Sequence, residues 1–268
     1  MWRRDAACRV SAYLFNNRVL PTPICTPGSI CIALKRPMDF SPFSAITFDC
    51  YGTLINWEAG ILPALRNVLA AHGQMLSDAV LLELYGEFEQ LAEEGLYQSY
   101  RNVLESVVRQ FGEHCSFHPT PVQLRSIHES IPAWPPFADT VAALQKLQQH
   151  YRLAVISNID DDLFAESRKH LGVDFAVVVT AQQARSYKPS LNNFRLALQK
   201  LGIERSQLLH VGQSIYHDVI PAQSLGIRTV WVNRTSARPG VGAVRAASGK
   251  PDLEVPDVAS LADLAVRA

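Results

Sequence analysis

Neither sign of charge dominates this chain: Lys plus Arg and Asp plus Glu number 25 each in 268 residues. A protein that binds nucleic acid or an anionic membrane surface by electrostatics carries a basic excess or stripe, and none is present. No uninterrupted apolar run is long enough to span a bilayer. The chain is therefore expected to be soluble, with neither nucleic acid nor membrane as its partner. Cysteine is scarce. Its five copies are scattered and odd in number, which provides neither a disulfide framework nor a metal-ligand spacing, so a reducing, cytoplasmic setting is expected.

The first 37 residues stand apart, with Arg3, Arg4, Arg9 and Arg18 against the single acid Asp5, followed by a stretch of Pro, Thr and Cys. Such a leader reads either as an organellar presequence or as an upstream start preceding the true initiator Met38, the second being favoured. Disorder is expected there. Beyond it, apolar runs of strand length recur at Ala45 to Phe48, Leu153 to Ile156, Phe175 to Val179, Leu208 to Val211 and Thr229 to Val232. Segments with helical spacing alternate with them: Thr140 to His150, Leu163 to Leu171, Leu191 to Leu201 and Val219 to Leu225. This alternation predicts an α/β fold with a doubly wound parallel sheet. Gly172, Gly202 and Gly226 fall where left-handed helix caps are needed.

Residues 56–136 interrupt the pattern. They hold helical spacing around Ile61 to Ala71, Ala79 to Glu94 and Ser99 to Phe111, and no strand. The expected organisation is a core of residues 38–55 and 137–268 with an all-helical insertion between its first two strands. Pro132, Pro135 and Pro136 around Trp134 mark the return to the core, as a plain linker or as the hinge of a moving lid. The Gly-, Ala- and Pro-rich stretch Gly240 to Pro256 reads as a loop before a short helix, Val258 to Val266.

The chemistry begins at Ile46-Thr47-Phe48-Asp49-Cys50-Tyr51-Gly52-Thr53-Leu54. A β-branched strand ends in a carboxylate and runs straight into a tight turn. In parallel α/β sheets the carboxyl ends of strands face the ligand crevice, where a carboxylate can serve as a nucleophile toward carbon or phosphorus. Period-two alternation turns Cys50 to the opposite face, as a small buried hydrophobe. Ser157-Asn158 closes the second strand. Asp160, Asp161 and Asp162 after it read as the acidic N-terminus of a helix, without catalytic work. Lys188 precedes Pro189, which suits the first turn of a helix, and Gly212-Gln213-Ser214-Ile215-Tyr216-His217-Asp218 follows the fourth strand.

The first of these motifs resembles that of the haloacid dehalogenase (HAD) superfamily, and Asp-Cys-Tyr-Gly-Thr-Leu is similar to its L-2-haloacid dehalogenase (type II) branch. The resemblance implies a covalent intermediate on Asp49, with Lys188 holding that carboxylate beside an anionic substrate and Asp218 completing the catalytic set. It places Tyr51, Thr53, Ser157, Asn158, Gln213 and Ser214 around the substrate. It also implies a helical cap over the site and is compatible with a homodimer. Where phosphatases of the superfamily keep a general acid, this chain has Tyr51; where they keep a magnesium-binding Asp, it has Gln213. An amide is a poor ligand for Mg²⁺, and a departing halide needs no proton. The expectation is hydrolytic dehalogenation of a small 2-haloacid without metal or other cofactor. A Mg²⁺-dependent phosphatase and a catalytically impaired binding module remain as alternatives. The family's halide-binding Arg has no counterpart in Leu81 to Phe88, and Arg101 beyond it reads as a solvated residue.

Overall fold

The computed structural model describes residues 38–234 and 247–267. The expectations for the leader and for residues 240–246 lie outside the described residues. Six parallel strands form one sheet: β1 (Ala45–Phe48), β2 (Arg152–Ser157), β3 (Val177–Thr180), β4 (Leu208–Gly212), β5 (Arg228–Val232) and β6 (Leu253–Val255), in the order β3-β2-β1-β4-β5-β6. The chain winds outward from β1 through β2 to β3, then crosses back to lay β4 on the other side of β1. The switch point, where crevices open in such sheets, is thus between the ends of β1 and β4. Every residue of β1 and β4 is buried, because helices cover both faces. Ile46, Phe48, Leu153, Val155, Leu209 and Val211 join one apolar cluster, whereas Ala45, Ala154, Ile156 and Leu208 join the other.

The core helices are α6 (Thr140–Leu147), α7 (Asp161–Arg168), α8 (Ala181–Ala184), α9 (Leu191–Leu201), α10 (Ile220–Ser224) and α11 (Val258–Arg267). Gly172, Gly202 and Gly226 all take positive φ, as expected; the N–H of Gly202 caps α9 on Leu198 O. Two details depart from the sequence reading. β6 lies within the stretch read as a loop: three residues between Pro251 and Pro256 are too few to show a period, and its edge position is set by pairing with β5 and by Asp252 accepting from Thr229 N at 2.8 Å. The fourth crossover helix is also shorter than expected, because a wide π turn over Ile215–Val219 precedes α10.

The insertion holds α1 (Trp57–Ala70), α2 (Asp78–Glu93) and α3 (Tyr100–His114), capped by Asn56, Ser77 and Ser99, whose side chains accept backbone N–H bonds. Two short helices, α4 (Pro121–Leu124) and α5 (Ser126–Ser130), follow, the first opened by a Thr120–Gln123 capping box. The chain leaves and re-enters the core through a neck in which Asn56 N donates to Pro135 O at 2.8 Å and Phe137 N to Leu54 O at 3.0 Å. Trp134 beside that neck is 2 % exposed and packs onto Gly60, where a Cβ would lie 2.1 Å from its ring. Among the described residues no helix is long and apolar enough to cross a membrane.

Candidate active site

Asp49 leaves β1 as its next residue, and its N–H is still tied to Val211 O of β4 at 2.9 Å. The backbone then folds tightly: Cys50 O accepts from Leu54 N at 2.7 Å, and Gly52 takes φ +92°, which a side chain would oppose. That turn brings Thr53 back beneath the carboxylate. Thr53 Oγ1 donates to Asp49 Oδ2 at 2.7 Å and accepts from Gln213 N at 2.9 Å, tying the ends of β1 and β4 together. Thr53 thus holds Asp49 and does not line the cavity in front of it.

Lys188 is 2 % exposed, and its ammonium meets three acceptors: Asp49 Oδ1 at 2.8 Å, Asp218 Oδ1 at 2.7 Å and Ile156 O at 3.0 Å. An ammonium has three donors, so all are used. Asn158 fixes the loop that delivers it, accepting from Lys188 N at 2.7 Å and donating to Lys188 O at 3.2 Å. Asp218 receives further bonds from Ser214 N at 3.2 Å and from His210 Nε2 at 3.2 Å. A carboxylate can only accept, so the proton sits on Nε2; Nδ1 of the ring meets Thr47 Oγ1 at 2.9 Å. Gly212 leaves the room that Asp218 occupies, a Cβ there lying 2.5 Å from its carboxyl group.

Burial alone would raise the pKa of Asp218, but the ammonium of Lys188 and the hydrogen bond from His210 outweigh it and hold the carboxyl well below its ordinary range. Burial would lower Lys188, and the two carboxylates outweigh that and raise it. Asp49 moves upward: burial and the charge of Asp218 exceed the help of Lys188 and Thr53. Two carboxylates therefore share one cation.

A cavity of about 70 Å³ opens in front of this group. From the core it is lined by Asp49, Lys188, Asp218, Tyr51, Ser157 and Asn158, with Gln213, Ser214 and His217 along one side. Ser157 Oγ is buried and has no hydrogen-bond partner among the described residues. The Tyr51 hydroxyl is turned to Ser167 of α7 at 2.7 Å, and its ring edge meets Trp134. Ser214 Oγ caps the π turn, accepting from His217 N at 3.0 Å. Cys50 is fully buried, and burial pushes its thiol well above the ordinary value. From the insertion come Trp57, Glu89, Glu93 and Tyr100. None of these four was singled out in the sequence; a Glu on an amphipathic helix reads as solvated. His210 was also missed, although a lone His inside the apolar run Leu208 to Val211 was a signal.

Asp161 and Asp162 lie in the first turn of α7, as expected, whereas Asp160 behaves differently from the expected cap. Asp160 stands before α7 but its side chain makes no cap bond to it; its two carboxylate oxygens accept from Tyr100 N at 3.0 Å and Arg101 N at 3.1 Å, at the start of α3. The carboxylate serves the dipole of the insertion's helix and not that of its own. Arg101 pairs with Asp162 and reaches His128, outside the cavity. Tyr187 donates its hydroxyl to Gln98 O at 2.9 Å, a further tie to the insertion.

A carboxylate at the switch point of a doubly wound parallel sheet, braced by a buried lysine and a second carboxylate, defines a class of α/β hydrolytic enzymes. A family model described as haloacid dehalogenase-like hydrolase matches residues 43–226, and the chain belongs to that family. It is 26 % identical over 200 residues to the (S)-2-haloacid dehalogenase H-109 of Pseudomonas putida, covering 73 % of this chain and 88 % of the relative. It is also 24 % identical over 206 residues to the pyrophosphatase PpaX of Bacillus pumilus, covering 73 % and 85 %. The fold matches the L-2-haloacid dehalogenase structure from Xanthobacter autotrophicus with a TM-score of 0.71 at 19 % identity, over 84 % of this chain and 99 % of that one.

Proposed function

We propose that this hydrolase forms a transient ester between Asp49 and a carbon atom of its substrate, and that the reaction is hydrolytic dehalogenation of a small 2-haloacid. The observation that carries this reading is the bridging of Asp49 and Asp218 by Lys188, with Tyr51 and Gln213 where a phosphatase of the family needs carboxylates. The donor set is a poor match for Mg²⁺. Asp49 and Asp218 engage their oxygens with Lys188, Thr53, His210 and Ser214 N–H, and the neighbouring donor is an uncharged amide. Among the described residues no three His, Cys, Asp or Glu side chains are grouped to hold a metal.

In the proposed reaction an oxygen of Asp49 attacks C2, the carbon–halogen bond breaks, and the halide leaves with the bonding pair. Ser157 Oγ, without a partner among the described residues, is the group offered to the substrate carboxylate. Lys188 holds Asp49 ionised before attack and steadies the oxyanion when water adds to the ester carbonyl. One proton of that water goes to the departing 2-hydroxyacid oxygen and the other to solvent. Asp218, with its oxygens engaged, positions Lys188 and orients the water. The helical insertion acts as a cap, and the neck at residues 54–56 and 135–137 is its hinge.

Turnover in heavy-oxygen water should place label in Asp49, read by mass spectrometry of the peptide that contains it, and Asp49→Asn should release no halide. An active preparation with an unlabelled Asp49 would sink the ester. The likeness to PpaX keeps phosphate-ester hydrolysis as the second reading. Its mark is turnover of p-nitrophenyl phosphate that requires added Mg²⁺, with no halide from chloroacetate.

A further inference from the structure

Two carboxylates of α2, Glu89 and Glu93, face the same cavity as Asp49. They stand one helical turn apart in the last part of α2, where the helix dipole disfavours negative charge, and the last turn contains no Lys or Arg. Among the described residues neither forms an ion pair. Glu89 Oε1 accepts from the hydroxyls of Tyr85 and Tyr100, and Oε2 takes no hydrogen bond among the described residues. Burial raises the pKa of both carboxyls, and Glu89 adds to the rise of Glu93, which the charge of Lys188 and a hydrogen bond with Asn158 oppose only in part. Keeping both carboxyls of this wall ionised is therefore costly, and a bound cation would offset that cost.

Two further observations point to a ligand. Ser157 Oγ, on the core side of the same cavity, is buried without a partner among the described residues. The rings of Trp57 and Tyr100 line the cavity beside the carboxylates, and aromatic faces attract cations. Glu93 also lines the neighbouring cavity of about 290 Å³, together with Lys188 and His217. Glu93 therefore borders both spaces. A ligand that brings only a carboxylate would meet Asp49, Asp218, Glu89 and Glu93 with Lys188 as the single cation of the lining.

We propose that the α2 wall is a cation subsite, and that the substrate carries an ammonium group received by Glu93 and Glu89 as well as the carboxylate offered to Ser157. The substrate class is then a short amino-bearing 2-haloacid. This rests on the Asp49 ester reading for its chemistry, but the subsite is testable by binding alone.

The probes are 3-aminopropanoate and butanoate, which differ by an ammonium in place of a methyl and cannot be dehalogenated. Calorimetric or NMR titration of the full chain should show 3-aminopropanoate binding about tenfold or more tightly, the scale of one charge-assisted contact. Glu93→Gln, and separately Glu89→Gln, should bring the two ligands toward parity, while Glu83→Gln on the exposed side of α2 leaves the preference in place. Equal binding, preference for butanoate, no binding of the zwitterion, or a preference that survives both cavity variants would overturn the subsite. Halide release from 3-amino-2-chloropropanoate and 2-chlorobutanoate is measured in parallel. A preference in binding with no halide from either compound supports the subsite and refutes the dehalogenase reading.

Discussion

Replacing Lys188 with Met removes a cation and keeps most of the side chain, which ends one heavy atom short, so the change is chiefly electrostatic. The ammonium lies 2.8 Å from Asp49 and 2.7 Å from Asp218, all three groups being nearly buried. At an effective dielectric of about 20 each contact is worth about 6 kcal/mol of gross attraction. Most of that offsets the cost of taking the charges out of water; breaking a buried pair from one side costs about 3–5 kcal/mol net. Lys188→Met should therefore lose about 3–5 kcal/mol of unfolding free energy at pH 7, together with turnover.

The loss should depend on pH with a definite sign. In the parent, the depressed pKa of Asp218 contributes stability above the ordinary carboxylate value, and this is lost as pH falls through the lower folded value. Without Lys188 the burial of Asp218 and Asp49 is far less opposed, their pKa values climb, and the folded state takes up a proton as pH drops. The variant's deficit should shrink between pH 7 and pH 5. Urea unfolding at the two pH values measures it. A deficit below about 1 kcal/mol, the scale of an exposed pair, or one identical at both pH values would refute the electrostatic account of this site.

Two further changes probe how the insertion is held. Asp160→Ala strips the acceptor from Tyr100 N and Arg101 N, and should cost about 1–2 kcal/mol while speeding hydrogen exchange at the start of α3; unchanged protection of those two amides would show that the cap carries nothing. Gly60→Ala puts a methyl 2.1 Å from Trp134 Cδ1, so the indole must shift. The expected cost is about 1–3 kcal/mol with altered tryptophan emission, and an unchanged unfolding midpoint with unchanged emission would contradict the packing described for the neck.

Five of the six parallel strands were readable because burial on both faces gives them continuous apolar runs, whereas the short edge strand β6 was not. Their ends were readable because polar residues such as Asp49, Ser157 and Gln213 stop those runs abruptly. Lys188 and Asp218 were legible through the family pattern and meet Asp49 in space. The role of Thr53 was not legible: four residues from Asp49, it could as well have faced the substrate, and only the Cys50–Leu54 turn decides that its hydroxyl lies under the carboxylate. Asp160 misled for a related reason, since a helix-start acid satisfies whichever N-terminus is near, and the nearer one came from the insertion.

The sequence by itself determined a strand-ending carboxylate on a doubly wound parallel sheet, because backbone pairing and two-sided burial leave few other arrangements for such a pattern. The lysine and the second acid it offered only through the family resemblance. The tertiary structure alone decided what stands opposite them. Which face of α2 turns toward Asp49 depends on how the insertion docks through its neck, Asp160 and Tyr187, and it brings Glu89 and Glu93 into the cavity instead of leaving them in water.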